Sequence, residues 1–399
     1  MQGRKILFGV TGSIAAFKAA GWVSFLVKEE AQVTVMMTES AARFVTPLTF
    51  GALSGNQVYT DMFSTEAEEM MAHITLSGDA DAVLIAPATA QTLARLAHGM
   101  ADNLLAAAVL ASSAPVIVCP AMNSQMLAHP ATQKNLSILK KLGYIIVEPE
   151  CGPLACGDVG SGRLTEWDTV RETLLGIFVE QDLAGQHVLI TAGPTREALD
   201  PARYLSNRSS GKMGYALART ARRRGAEVTL VSGPTHLPAP PGVTMVSVQT
   251  AAEMAEAVKE YATYASILVK AAAVADFKPK KVALLKIKKA GADLQVELEP
   301  NQDILATLGR DRRSDQLLVG FAAESNNHEA EGRRKLRAKK ADLMVVNDIL
   351  GKQTGFDVDT NQVTLITRDD TEQLALLSKE ETANCIWNKV MMLGKVNRA

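Results

Sequence analysis

The stretch Lys5-Ile-Leu-Phe-Gly-Val10 runs straight into Thr11-Gly12-Ser13, and the same device returns where His187-Val-Leu-Ile190 runs into Thr191-Ala192-Gly193-Pro194. Each is an unbroken apolar run of strand length, closed by small and hydroxyl-bearing residues. Such a run predicts a strand buried on both faces of a parallel sheet, with a tight turn into a helix behind it. Outward from the first copy, strands are expected at Lys5–Val10, Gln32–Met37, Ala82–Ala86, Pro115–Cys119 and Tyr144–Val147. Helices are expected between them at Ile14–Glu29, Gln91–His98, Leu104–Ala111 and Thr132–Leu142. Outward from the second, strands at His187–Ile190, Glu227–Ser232, Ile267–Val269, Leu317–Phe321 and Leu343–Val346 alternate with helices near Gly214–Arg224, Ala252–Tyr261 and Ala330–Lys340. The class is α/β, with two doubly wound units at 1–183 and 184–399. The break falls near Val179–Gln186, and the Pro-rich Leu237–Gly242 is a surface loop inside the second unit.

Composition narrows the function. The 399 residues carry 42 Lys and Arg against 43 Asp and Glu, so no global field recruits nucleic acid or an anionic membrane. The balance is uneven along the chain: residues 1–180 sum to −6 and residues 181–399 to +5, which makes the second half the better host for a polyanion. Four cysteines are too few for a disulfide framework, and Cys151 and Cys156 have no second pair placed to complete a zinc site. With no cleavage pattern and no run of about 18 apolar residues, a cytoplasmic protein is expected.

Several segments can carry chemistry. Gly9-Val-Thr11-Gly12-Ser13-Ile-Ala-Ala16 sits between strand and helix, where backbone N–H groups and the helix dipole hold phosphate. Its spacing is not the G-x-G-x-x-G dinucleotide fingerprint, so a mononucleotide suits it better, and a plain tight turn is the alternative. Ala86–Ala90, Gly99–Asn103 and Pro120–Met126 lie at expected strand ends, where ligands of open α/β sheets collect. Asn123 can orient a carboxylate or amide there. His73, in an apolar stretch, reads as a core histidine or a catalyst. Cys156 lies in the glycine-rich Cys151–Arg163, expected to be a mobile loop that can bring a thiol to a substrate. In the second half, Ser206–Gly214 is a second candidate anion cradle without the Walker spacing. Lys286-Ile-Lys-Lys289 concentrates charge, Lys335 and Lys339 stand one helical turn apart, Asp276 can bind ribose, Mg²⁺ or a base, and Phe321 can stack on a base. Solvated faces, turn caps and core packing are the corresponding structural roles.

Taken together these segments resemble the bacterial bifunctional enzyme family of coenzyme A synthesis, a phosphopantothenoylcysteine decarboxylase fused to a phosphopantothenate–cysteine ligase. The resemblance spans nearly the whole chain. It is carried by Gly12–Ala16, His73, Pro120–Asn123, Ala155–Asp158, Thr191–Glu197, Ser206–Gly214, Ala272–Asp276, the Lys286 run, Gly320–Glu324 and Asn347-Asp348. The chain departs from the family at Gln91, Leu127, Gln302 and Lys270, the last at a position where a small or apolar residue is common. The resemblance implies two Rossmann-like domains, the first flavodoxin-like and FMN-dependent, the second CTP-dependent.

Direct loss of CO₂ from a cysteine carboxylate leaves a carbanion with no electron sink. In the family FMN oxidises the cysteinyl carbon to a thioaldehyde, CO₂ leaves into the new double bond, and the ene-thiol is reduced while a cysteine donates a proton. By resemblance Cys156 is that donor, His73 assists the oxidative decarboxylation, Asn123 and Met126 position the substrate carboxylate, and Gly12, Ser13, Thr38, Thr89 and Ala90 hold FMN. The ligase activates 4′-phosphopantothenate with CTP and Mg²⁺ as an acyl-cytidylate, from which cysteine displaces CMP. The resemblance assigns Lys286 to the developing phosphate charge, Asn207 to the acyl-cytidylate, and Ala272, Asp276, Asn301, Gln302, Asp303, Ile304, Phe321, Lys335 and Lys339 to CTP, with Mg²⁺ held mainly by the CTP phosphates. It further implies a homo-oligomer, trimeric through the first domain and dimeric through the second, acting on small molecules and not on nucleic acid or membrane. A nicotinamide oxidoreductase is disfavoured by the missing fingerprint. A non-catalytic flavoprotein regulator has no need of His73 and Cys156.

Overall fold

The structure, a computed structural model, describes residues 1–63, 71–155, 157–288, 294–324, 327–348 and 358–396. The chain forms two compact units, Met1–Phe178 and Val179–Ala399. No helix among the described residues is long and apolar enough to cross a membrane.

The first unit is a parallel six-stranded sheet in the spatial order Val58–Tyr59, Gln32–Met37, Lys5–Val10, Ala82–Ala88, Val116–Pro120, Ile145–Ile146. Its apolar strands are covered on both faces. Along the first strand Ile6, Phe8 and Val10 enter one core with Trp22 and Leu26, while Leu7 enters the other with Val83, Leu93 and Leu105. Without its two-residue edge strand the order is flavodoxin-like. The strand order reverses at the parallel pair Lys5–Val10 and Ala82–Ala88, and at such a switch point the carboxyl ends of the two strands border a crevice.

The second unit has an eight-stranded sheet in the order Thr244–Ser247, Glu227–Ser232, His187–Ala192, Ile267–Lys270, Leu317–Glu324, Leu343–Asp348, Val363–Ile366, Thr371–Gln373. Six strands run parallel, Val363–Ile366 runs against them and Thr371–Gln373 turns back again, an antiparallel edge that the expectation of a parallel sheet did not include. The return is local: Val363–Ile366 pairs back on Leu343–Asp348 and hairpins to Thr371–Gln373, so no crossover helix is needed. The final helix, Lys379–Val396, packs Ile386, Trp387 and Val390 into the core, with the indole N–H of Trp387 donating to Thr220 Oγ1 at 3.0 Å.

Cys151–Arg163, expected as an irregular mobile loop, is instead an antiparallel ribbon of Glu150–Pro153 and Val159–Arg163. Its glycines serve close approach. A Cβ on Gly160 would lie 2.4 Å from Ser124 Oγ, and one on Gly162 would lie 2.1 Å from the Met122 carbonyl oxygen. Gly162 also accepts from Met122 N at 2.9 Å. The ribbon is thereby seated on the Pro120–Asn123 turn, with its tip closed by Leu154 N donating to Asp158 O at 2.8 Å.

Candidate active sites

The crevice of the first unit is assembled from strand ends. Thr11 is buried at the end of the first strand, and its hydroxyl donates to Pro87 O at 2.6 Å while accepting from Thr89 N at 3.1 Å, which locks the two sides of the switch point together. Thr38 caps the short helix after Gln32–Met37 by accepting from Ala41 N, and Thr89 caps Ala90–His98 by accepting from Thr92 N. Ser13 Oγ accepts from Ala15 N at 3.3 Å in the turn before helix Ala16–Lys28. Gly12 has no space for a side chain, since an added Cβ would meet Ser40 Cβ at 2.4 Å. Gly12, Ser13, Thr38, Thr89 and Ala90 therefore share one sheet edge, with hydroxyls and helix N-termini converging on it. That donor set fits a phosphate.

Asn123 follows Val116–Pro120, and its Oδ1 accepts from Gln125 N at 2.8 Å to cap the turn Ser124–Ala128 that carries exposed Met126. His73 lies on helix Ala72–Gly78 and lines an open apolar groove with Met62, Phe63, Met71, Ala107 and Leu110. Among the described residues its buried Nδ1 has no hydrogen-bond partner, which does not match the satisfied core histidine of the structural reading. Cys156 lies outside the described residues.

In the second unit, the carboxyl ends of His187–Ala192 and Ile267–Lys270 flank the switch point. Conserving the shape of this edge falls to backbone stitching: Thr191 Oγ1 accepts from Ala272 N at 3.1 Å, Thr195 Oγ1 from Ala275 N at 3.0 Å, and Gly193 O from Ala273 N at 3.0 Å. Buried Glu197 accepts from Ala251 N at 2.9 Å, at the start of helix Ala251–Ala262. Thr191–Glu197 is thus a frame for the loop Ala271–Asp276.

That loop walls a cavity of about 460 Å³, lined also by Asn207, Asp276, Asp303, Phe321, Lys335 and Lys339. Asn207 donates from Nδ2 to Ala273 O at 3.0 Å. Asp303 caps helix Ile304–Asp311 through Ala306 N and accepts from Lys339 Nζ at 2.5 Å. Burial is the largest single influence on the Asp303 carboxyl and pushes it up, but the hydrogen bonds from Lys339 and the Ala306 N–H, with the charges of Lys339 and Lys270, together outweigh it and leave the group below its ordinary value.

Four of the nucleotide-site residues expected from the sequence do not line this cavity. Asn301 stands behind it, donating from Nδ2 to Ala275 O at 2.8 Å and from its backbone to Asp276 O at 2.8 Å, and so holds the wall. Ile304 is buried in the core, and Gln302 donates to Thr307 Oγ1 at 3.1 Å beside a separate groove. Lys286 is exposed on a segment tied down by Ile287, whose N donates to Asp200 Oδ2 at 3.1 Å and whose O accepts from Arg203 at 2.8 Å. Sequence reading placed Lys212 only within the Ser206–Gly214 cradle and gave no site role to Lys270, Asn347 or Lys379; all four line the cavity. A lysine closing the apolar run Ile267-Leu-Val-Lys270 was the available signal. Among the described residues no group of three or more His, Cys, Asp or Glu converges as a metal site.

Residues 1–178 match the flavoprotein family, and residues 183–393 match the family described as DNA/pantothenate metabolism flavoprotein C-terminal domain. The chain is 45% identical over 400 residues to the coenzyme A biosynthesis bifunctional protein CoaBC of Bacillus subtilis, covering 99% of this chain and 98% of the relative. It is 45% identical over 392 residues to the protein of the same name from Vibrio cholerae, covering 98% of each. Among solved structures, the C-terminal domain of a coenzyme A biosynthesis bifunctional protein CoaBC is 44% identical, covers 54% of this chain and 98% of that one, and has a TM-score of 0.47.

Proposed function

The chain belongs to the bifunctional CoaBC family of coenzyme A biosynthesis and has its phosphopantothenoylcysteine synthetase and decarboxylase activities; from that premise we propose that the first unit decarboxylates with FMN in the crevice around Gly12 and the second ligates with CTP in the lysine-lined cavity. The observation that carries the proposal is convergence. Asn207, Ala272, Asp276, Asp303, Phe321, Lys335 and Lys339, scattered over 133 positions of sequence, line one cavity in the half of the chain with net positive charge.

FMN, when bound, supplies an electron sink for the cysteinyl carbon and returns the electrons after CO₂ has left. The chain's own part is to hold and to donate. Gly12, Ser13 and Thr38 take the phosphate, Thr89 and Ala90 border the ring, Asn123 and Met126 face the substrate carboxylate, and His73 assists with its unpartnered nitrogen. Cys156 delivers the final proton to carbon. Because Gly12 is pressed against Ser40, Gly12→Val is expected to close the phosphate cradle. The purified variant should carry less than a tenth of the wild-type flavin by absorbance of the denatured supernatant, at an overpacking cost of about 1–3 kcal/mol.

In the ligase cavity Lys335, Lys339 and Asp303 line the triphosphate, whose oxygens are the main holders of Mg²⁺. Ala272, Asp276 and Phe321 border the base and ribose, and Asn207 grips the acyl-cytidylate. Asn301 acts at one remove by fixing Ala275 and Asp276, so Asn301→Ala is expected to raise KM for CTP about five- to tenfold, the worth of about 1–1.5 kcal/mol for one lost hydrogen bond, with kcat changed less. Exposed Ile14 and Phe17 beside the first crevice, and exposed Leu284 and Leu285 beside Lys286, support self-association through both units. The test of the whole reading is a coupled assay with 4′-phosphopantothenate, cysteine and CTP, ATP, UTP or GTP in turn, following pyrophosphate and CO₂ separately. Pyrophosphate release without CTP preference would remove the nucleotide assignment, and a colourless protein that takes up no flavin would remove the FMN assignment.

A further inference from the structure

Lys270 differs from Lys212 and Lys339, the cavity lysines held in ion pairs. Lys339 is paired with Asp303, Lys212 with Asp359 at 2.7 Å, and Lys379 donates to Val358 O and Thr360 O. Lys270 Nζ donates to the carbonyl of Ala272 at 3.0 Å, and among the described residues no carboxylate lies within ion-pairing distance of it. It occupies the last position of the strand Ile267–Lys270, beside the switch point, on the wall of the cavity. Burial pushes its ammonium below the ordinary lysine value. Asp303 and Asp276 push it back up, and Lys335 and Lys339 oppose them. A half-buried cation whose only direct partner among the described residues is a carbonyl is costly, and its cost is relieved when an anion enters the same space.

We infer that Lys270 is a further binding residue of the ligase, whose ammonium receives a phosphate-bearing anion in the cavity. The anion is a phosphate of the nucleotide or the phosphate of 4′-phosphopantothenate, which share this chemistry. The inference rests on the reading that the cavity is the ligase site. A purely structural alternative is that Lys270 pins the Ala272 carbonyl, and the choice of substitution separates the two: Lys270→Gln retains a donor without charge, Lys270→Arg retains the charge, and Lys270→Met retains neither.

The experiment is isothermal titration of the full chain with CTP alone and with 4′-phosphopantothenate alone, for these three variants and for Lys335→Met, beside thermal unfolding of each. Lys270→Met and Lys270→Gln are expected to bind one of the two ligands about tenfold or more weakly, with Lys270→Arg within about threefold of wild type. Weakening confined to CTP identifies the nucleotide as the source, and weakening confined to 4′-phosphopantothenate identifies the substrate. A second readout is pH. Lys270 faces Asp276, Asp303, Lys335 and Lys339, and burial holds its ammonium below the ordinary lysine value, so its charge is lost at lower pH than that of a solvated lysine. Wild-type affinity for that ligand should therefore fall with rising pH earlier than in Lys270→Met. Should Lys270→Gln bind both ligands as wild type does while Lys335→Met loses CTP, the inference is overturned and the cavity reading stands. Wild-type CTP binding by both Lys270→Met and Lys335→Met would overturn the cavity reading together with the inference. If Lys270→Met fails to fold, Lys270→Gln decides the question alone.

Discussion

Cys156→Ser is expected to uncouple the two products of the first unit. CO₂ is still released, but 4′-phosphopantetheine formation falls by about 10²–10⁴, the usual contribution of a positioned acid, and a product two hydrogens lighter takes its place in the mass spectrum. The expectation follows from what a proton donor does. Protonation at carbon comes after CO₂ has left, so a hydroxyl of much higher pKa at the same place stalls the last step and spares the earlier ones. The described part of the ribbon is seated on the substrate-side turn, with Gly160 and Gly162 pressed against Met122–Ser124. Cys151 is exposed on the same ribbon and provides the control. If Cys156→Ser makes 4′-phosphopantetheine at the wild-type rate and Cys151→Ser does not, the proton comes from Cys151 and the role assigned to Cys156 is wrong.

The fold was legible where apolar runs were long. Lys5–Val10, Gln32–Met37 and Glu227–Ser232 lie within the parallel sheets at the bounds their sequence suggests, because a strand covered on both faces needs a continuous apolar run. Val58–Tyr59 and the ribbon Glu150–Arg163 were not legible. Two residues carry no periodicity, and glycines chosen for close contact look like glycines chosen for mobility. The ligase cavity shows a similar division. Asp303, Gln302 and Ile304 entered the site together through the resemblance, but neighbours in sequence do not share a direction. As the cap Asp303 turns toward Lys339, while Ile304 enters the core and Gln302 reaches Thr307. Lys270 was visible as an odd residue at a strand end, yet only the fold puts a cavity in front of it.

Lys286→Gln is expected to lower ligase kcat by about 10²–10³, the scale of losing one charge that stabilises a transition state, with KM for CTP changed little. The side chain is exposed and lines no part of the cavity of its own chain, so the unfolding midpoint and the decarboxylase rate should stay at wild-type values. Exposure also constrains how the residue can act. Its segment is held by Asp200 and Arg203 and carries Leu284 at 92% and Leu285 at 82% exposure, an apolar pair that invites a second copy of the chain. An isologous contact places the same patch of both copies together, so Lys286 of one copy is a candidate to act on the cavity of the other. Mixing tells this from action within one chain. Lys286→Gln and Asn207→Ala, each inactive as a ligase alone, should regain up to about a quarter of wild-type activity after subunit exchange, because half of the dimers are mixed and each has one intact site. No recovery on mixing, with exchange shown by a tag on one partner, would place the action of Lys286 within its own chain, and an unchanged kcat in Lys286→Gln would leave the lysine as a solvated charge with no part in the chemistry.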